Sequence, residues 1–247
     1  MRVVVLSDHL ERRETAARQA VRRAETTSVK RPKGVFRRLW WWITGRAKKL
    51  QAAREADIAR LASEAARLAQ GRGGEISFVE ALGAQLDDHY VLLQGFTPPE
   101  PWRSGGDIDG LLIGPHGVTV IEVKTWKGFY RYTGHEWLFR KNRREEWETA
   151  RKNPTEQALA NLQRIRELLT SVSLGYVPVR VVIAVAADTM NVEVHPPVDV
   201  PLYLAYHPHA RLDTVLGPRH ESADLTNFQL DKLYTTLLGS AARRLKV

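Results

Sequence analysis

The chain has 247 residues, 43% of them hydrophobic and 26% charged, which suits a soluble globular protein with one substantial core and an appendage. It contains no cysteine, so disulfides, thiolate metal sites and cysteine catalysis are excluded. The formal net charge of +9 is lopsided: residues 1–70 hold 17 Lys/Arg against 7 Asp/Glu, whereas residues 71–247 hold 20 against 21. A basic arm on a near-neutral remainder suits an anionic polymer or an anionic membrane surface.

Residues 1–10 lack the apolar stretch and cleavage site of a signal peptide, so a cytoplasmic location is expected, with the arm free to touch a membrane periphery. Residues 8–25 and 46–70, rich in Ala, Arg and Glu, read as helices. Between them Lys30-Arg31-Pro32-Lys33-Gly34 breaks the helix, and the segment 35–45 carries Trp40-Trp41-Trp42 among basic residues. That segment is far shorter than the ~20 apolar residues that span a bilayer. Three roles fit it: packing on the core or on a second copy (a homo-oligomer), an interfacial membrane contact, or a stacking platform for nucleic acid.

In the next helical stretch Ile76, Val79, Leu82 and Leu86 form an apolar stripe at about 100° per residue, with Glu75 inside the stripe and Glu80 outside it. A carboxylate on a buried face needs a partner, either a cation or a structural Arg. The plainer reading is an acid in a helix's first turn, where the dipole favours it.

Two apolar runs then flank Gly114-Pro115-His116-Gly117 and read as a hairpin, interrupted by Asp107, Asp109, Glu122 and Lys124. Pairing Gly114 with Gly117 sets Asp109 opposite Glu122 and Asp107 opposite Lys124, all on one face. Pro115 favours turns other than the primed type of two-residue loops, and a bulged three-residue loop would shift this register by one. Opposed carboxylates ~4.5–5.5 Å apart repel, and a hard divalent cation between them is the economical remedy. The alternative is surface carboxylates on an ordinary strand, with Lys124 snorkelling to solvent.

Residues 128–133 and 136–140 read as an antiparallel pair turning at Thr133-Gly134-His135. Lys127, Arg131, Arg140, Lys141, Arg143 and Arg144 lie along it, interleaved with Trp126, Tyr130, Tyr132, Trp137 and Trp147. This composition suits phosphate contact and base stacking, or equally a solvated face. Asn153, Pro154 and Glu156 make a helix start, and Ala158, Leu162, Ile165 and Leu169 continue it as a core stripe with Gln157 at its edge. Residues 177–186 read as a central strand, 200–206 as a short strand and 227–245 as a closing helix. This order argues for an α/β sandwich.

Asp109, twelve residues and Glu122-Val123-Lys124 resemble the PD-(D/E)XK nuclease signature, with Ile108 standing where the proline would be. Together with Gly74-Glu75, Gly106-Asp107, Gly114-Pro115-His116-Gly117-Val118, Gly128, Gly134, Trp137, Asn153-Pro154 and Gln157, the stretch 71–190 resembles the NERD, or nuclease-related, domain. The resemblance implies an α/β, restriction-endonuclease-like core over 71–247, a mixed central sheet flanked by helices, behind a basic helical N-terminal extension over 1–70. It also implies Mg²⁺- or Mn²⁺-dependent hydrolysis of nucleic acid, with DNA ahead of RNA. Asp109 and Glu122 would be metal ligands, and Lys124 would orient water and stabilise developing charge. Glu75 and Gln157 would complete the catalytic set from two helices, with Asp107 an additional acidic neighbour. Two other readings stay open: a nucleic-acid-binding or membrane-associated scaffold with little catalysis, and an interaction protein that oligomerises through the Trp-rich arm.

Overall fold

A computed structural model describes residues 1–6, 9–27, 46–103, 105–187, 189–207, 210–217 and 224–242. Its elements begin with β1 (Arg2–Val5), α1 (His9–Thr26), α2 (Arg46–Gly83), β2 (Val91–Phe96), β3 (Ile108–Gly114) and β4 (Gly117–Lys124). They continue with β5 (Gly128–Gly134), β6 (Glu136–Arg140), β7 (Glu148–Thr149), α3 (Pro154–Ser171) and β8 (Val179–Val185). The last are β9 (Met190–Val198), β10 (Leu202–Leu204), α4 (Leu212–Leu216) and α5 (Asn227–Ala242). Two compact units divide the chain, Met1–Asp8 with Gly73–Val247, and His9–Arg72. The Trp-rich segment 35–45 lies outside the described residues.

The larger unit is the expected α/β architecture. Its main sheet is mixed, in the order β1-β2-β3-β4-β8-β10. The β3–β4 hairpin keeps the register read from its turn, from Gly114↔Gly117 to Gly110↔Ile121. Gly117 has φ +101° and its α-carbon lies against the Pro178 carbonyl, so neither the turn nor the neighbouring chain admits a side chain there. The antiparallel ladder stops one pair short of the carboxylates. Asp109 does not continue it opposite Glu122; its carboxylate instead accepts the Val123 N–H at 2.7 Å.

Alternation along β4 sorts its side chains between two layers. Val118 and Val120 pack with Ile165, Leu168 and Leu169 of α3 and Leu233 and Leu237 of α5. Ile121 faces the opposite cluster, with Phe78 and Leu82 from the end of α2 and Val215 of α4. The strand β8 has both faces in apolar clusters, as its unbroken run demands. Each fully buried Leu, Val or Phe in these layers contributes about 1.5–3 kcal/mol, and together they fix where the strand ends point.

Several elements depart from the sequence reading: β2, β7 and α4 have no counterpart in it. β1 joins the main sheet in parallel beside β2, although residues 2–5 were counted with the arm. A smaller sheet, β7-β6-β5-β9, contains the expected β5–β6 pair, but its edge strand β9 was not anticipated. Its first half alternates Met190, Val192 and Val194 with Asn191, Glu193 and His195, a strand signal that Pro196-Pro197 cuts short and that mostly exposed side chains weaken. Finally, α2 runs through residue 71 without a break, so Glu75 lies deep in a helix rather than in a first turn.

In the smaller unit, helix α1 presents a half-buried stripe of Ala17, Val21 and Ala24 beside the buried Glu14. Arg54 of α2 donates to the carbonyls of Ala24 and Glu25 at the end of α1, which the helix itself leaves unpaired. At the other end Arg72 pairs with Glu11 at 3.1 Å and with Glu14 at 3.6 Å, so the two helices run antiparallel. Among the described residues no helix is long and apolar enough to cross a membrane.

Candidate active site

The carboxylates and the lysine gather at the C-terminal end of β4. Glu122 is 1% exposed. One of its oxygens accepts a very close hydrogen bond from Lys124 Nζ, and the other accepts from Asn161 Nδ2 at 3.1 Å. Lys124 Nζ also donates to Gln157 Oε1 at 3.3 Å. Strand alternation carries Glu122 and Lys124 to the α3 side of the sheet, as expected from Val118 and Val120. The helix itself starts as read: the Asn153 side chain caps the Thr155 and Glu156 amides and Pro154 takes the first position, which fixes where Gln157 and Asn161 emerge.

Glu75 arrives from the opposite layer. The stripe that anchors its helix is Gly74, Phe78 and Leu82; Ile76, expected in the stripe, is 45% exposed. Glu75 therefore lies at the edge of the stripe, half-buried, and accepts from Gln94 Nε2 of β2 at 3.3 Å. A methyl group on Gly74 would collide with the Thr125 side chain, directly after Lys124. The absent side chain is what allows α2 to approach this strand end and bring Glu75 with it. Asp107 accepts a very close hydrogen bond from Thr97 Oγ1.

Burial makes this cluster electrostatically uneasy. It pushes the Glu75 carboxyl from 4.5 up to about 7, with further upward pressure from Asp109, against the Gln94 hydrogen bond and the Lys124 charge. Glu122 also rises to about 7, first from burial and then from Asp109, opposed by Lys124 and Arg164. Asp109 keeps a small opening to solvent, yet burial raises its carboxyl too, against Lys124 and the Val123 N–H. Three acids thus resist ionisation in one place, and an added cation would relieve them.

The donor set is all carboxylate oxygen, which suits a hard divalent ion. Among the described residues no three His, Asp or Glu side chains enclose a common point. The residues therefore fit the pattern of one or two carboxylates completed by water and phosphate oxygens, with Asp109 and Glu122 as the two.

Sequence reasoning missed Gln94, Asn161 and Arg164. The first was a lone amide in the apolar run Val91–Phe96, a visible signal. The other two continue from Gln157 at helical spacing, a polar stripe alongside the apolar one.

The basic residues of the smaller sheet divide into two groups. Arg131 and Arg140 lie over the Trp147 ring at 4.5 and 4.2 Å from its centroid, and both face Glu193, at 3.1 and 3.7 Å. Lys127, Lys141, Arg143 and Arg144 are exposed. The last three ride on a turn tied by Asn142 and Glu145 hydrogen bonds. Trp137, by contrast, is 2% exposed, stacked on Tyr132 and bonded to Thr155, so it is core and unavailable for stacking on a base.

Comparison with known families matches residues 70–186 to NERD, the nuclease-related domain. No curated protein and no solved structure matches the chain.

Proposed function

We propose, from the match of residues 70–186 to the nuclease-related domain, that this chain is a Mg²⁺- or Mn²⁺-dependent nuclease hydrolysing phosphodiester bonds, DNA ahead of RNA. The observation that carries the reading is the excess of buried acid at the end of β4: Glu75, Asp109 and Glu122 all resist ionisation there. A structural ion pair would balance its charge; a cation-dependent site holds acid in reserve.

Asp109 and Glu122 would hold the cation. When bound, the ion polarises the phosphoryl oxygen and acidifies a water molecule. Lys124, within reach of Glu122 and Gln157, supplies a fixed positive charge where negative charge develops on the phosphate. Gln157 holds that ammonium in place, and Glu75, poised near neutrality, is suited to accept a proton from the attacking water. Water oxygen attacks phosphorus, giving its proton to Glu75, as the bond to the leaving oxygen breaks, and the departing oxygen takes up a proton from solvent. Exposed Lys127, Lys141, Arg143 and Arg144 carry the phosphate backbone beside the site, with Arg131 and Arg140 contributing less because Glu193 already faces them.

The second reading, a binding scaffold with weak catalysis, draws support from one contact: Lys124 Nζ lies directly on the Glu122 oxygen that a cation would use. The two separate in one assay. Labelled single- and double-stranded DNA and RNA are incubated with Mg²⁺, Mn²⁺ or EDTA, using wild type, Asp109→Ala and Lys124→Ala. Metal-dependent cutting lost in both variants is the expected result. Salt-sensitive binding without cutting would replace the nuclease with the scaffold.

A further inference from the structure

Helix α3 presents Gln157, Asn161 and Arg164 at i, i+4 and i+7, on one face beside its buried apolar stripe. Gln157 meets Lys124, but the chemistry above gives no part to the other two. Asn161 is 2% exposed, and its amide stands between a carboxylate and a guanidinium. Nδ2 donates to Glu122 Oε2 at 3.1 Å, while Oδ1 accepts a very close hydrogen bond from Arg164. Arg164 also donates to the carbonyls of Trp102 at 3.2 Å and Gly106 at 3.0 Å, in the segment leading to Asp107 and Asp109.

The two ends of an asparagine amide have nearly the same size, so packing alone does not choose between its two orientations. Arginine only donates, and an ionised carboxylate only accepts. Beside Arg164 the amide must present Oδ1, which leaves Nδ2 for Glu122. The inverted amide would set oxygen against oxygen at Glu122 and donor against donor at Arg164, inside a buried site where such mismatches cost most. We propose that Asn161 and Arg164 are positioning residues that hold the Glu122 carboxylate in the orientation a divalent cation requires, Arg164 acting through Asn161. This rests on the nuclease reading, and it adds a link: the segment before Asp109 and the carboxylate of Glu122 are fastened to the same helix by one guanidinium.

The test uses the full chain and Mn²⁺ alone. Calorimetric affinity is measured for wild type, Asn161→Leu, Arg164→Lys and the double variant, beside urea midpoints in EDTA. Leucine keeps the branched shape and removes both the donor to Glu122 and the acceptor for Arg164. It is expected to weaken Mn²⁺ binding about 10- to 100-fold, as loss of an outer partner of a ligand does. Lysine keeps the charge and loses the planar fork, with a smaller loss expected. The double variant should bind no worse than Asn161→Leu, because Arg164 acts through the amide. If Asn161→Leu does not fold, Arg164→Lys carries the test, and an unchanged Mn²⁺ affinity in that variant would overturn the inference. A folded Asn161→Leu that binds Mn²⁺ within about twofold of wild type would overturn the inference. So would losses that multiply, or variants whose urea midpoints fall while affinity stays. A wild type that takes up no Mn²⁺ would overturn the nuclease reading itself and this inference with it.

Discussion

At the open end of the β3–β4 hairpin, Glu122 and Lys124 are buried, Asp109 is nearly so, and acids outnumber the lysine that answers them. On the β5–β6 hairpin, Arg131 and Arg140 are partly exposed, lie over Trp147 and face Glu193. Both hairpins are rich in charge, but the first gathers excess acid in its buried interior, whereas the second spreads its arginines over an aromatic ring and a shared, half-exposed glutamate. The same pair of charges interacts several-fold more strongly near a protein interior than in water, so the first arrangement strains the protein and the second costs little. Charge density alone therefore does not mark a site; unanswered charge under burial does.

The comparison is broken most directly by removing one charge from each hairpin. Glu122→Gln is expected to lower metal-dependent cleavage by about 10²–10³-fold, the scale of losing one preorganised electrostatic group. Arg140→Gln is expected to lower it by less than about fivefold, the scale of a loose, partly exposed ion pair. Single-turnover rates with saturating Mn²⁺ measure both. Comparable losses would mean that the second hairpin belongs to the reacting centre.

What the sequence disclosed follows the same divide. The hairpin register, the α3 start and the burial of β8 were legible because each depends on local chemistry: a short turn, an N-cap with a following proline, an unbroken apolar run. The gathering of Glu122, Lys124 and Gln157 was legible only through the family resemblance, since nothing in the spacing between residues 124 and 157 says that they meet. Asn161 and Arg164 were hidden because a polar residue on a helix usually points to solvent, and only the fold shows this stripe turned toward a buried carboxylate. Strand β9 shows the opposite case: Met190, Val192 and Val194 alternate with polar residues, but Pro196-Pro197 cuts the signal short. Its pairing with β5 comes from backbone, while most of its side chains remain exposed.

Stability against pH sharpens the contrast without any substrate. Glu75 and Glu122 rise from 4.5 to about 7 on folding, so between those values the folded chain holds protons that the unfolded chain has released. Metal-free stability should therefore fall as pH rises from about 4.5 to about 7 and level off above, because the unfolded state binds fewer protons across that window. Glu75→Gln should flatten part of the fall, whereas Arg140→Gln should leave it in place. Saturating Mn²⁺, which binds the ionised acids, should raise the melting temperature more at pH 8 than at pH 6. Urea midpoints across the range provide the check, and a metal-free stability that climbs between pH 4.5 and 7 by this set's contribution would sink the account of uneasy acids.

The smallest expected effect lies between two groups of basic residues of the smaller sheet, those on the β5–β6 hairpin and those on the turn that follows β6. Lys141, Arg143 and Arg144 are exposed on a hydrogen-bonded turn, and the charge of each is available to a phosphate. Replacing one by Ala should reduce the slope of log affinity against log salt by about 0.9 on duplex DNA or about 0.7 on a single strand, through the loss of one counterion-releasing contact. Arg131→Ala or Arg140→Ala should change that slope by less, because each guanidinium already faces Glu193 and lies over Trp147. Binding measured in EDTA, so that no strand is cut, reads the slopes directly, and their value reports which strand form is bound. Equal slope changes in the two groups would mean that Glu193 releases its arginines when nucleic acid arrives. The β5–β6 charges would then be a reserve held for the ligand, and the distinction between the hairpins would narrow to burial alone.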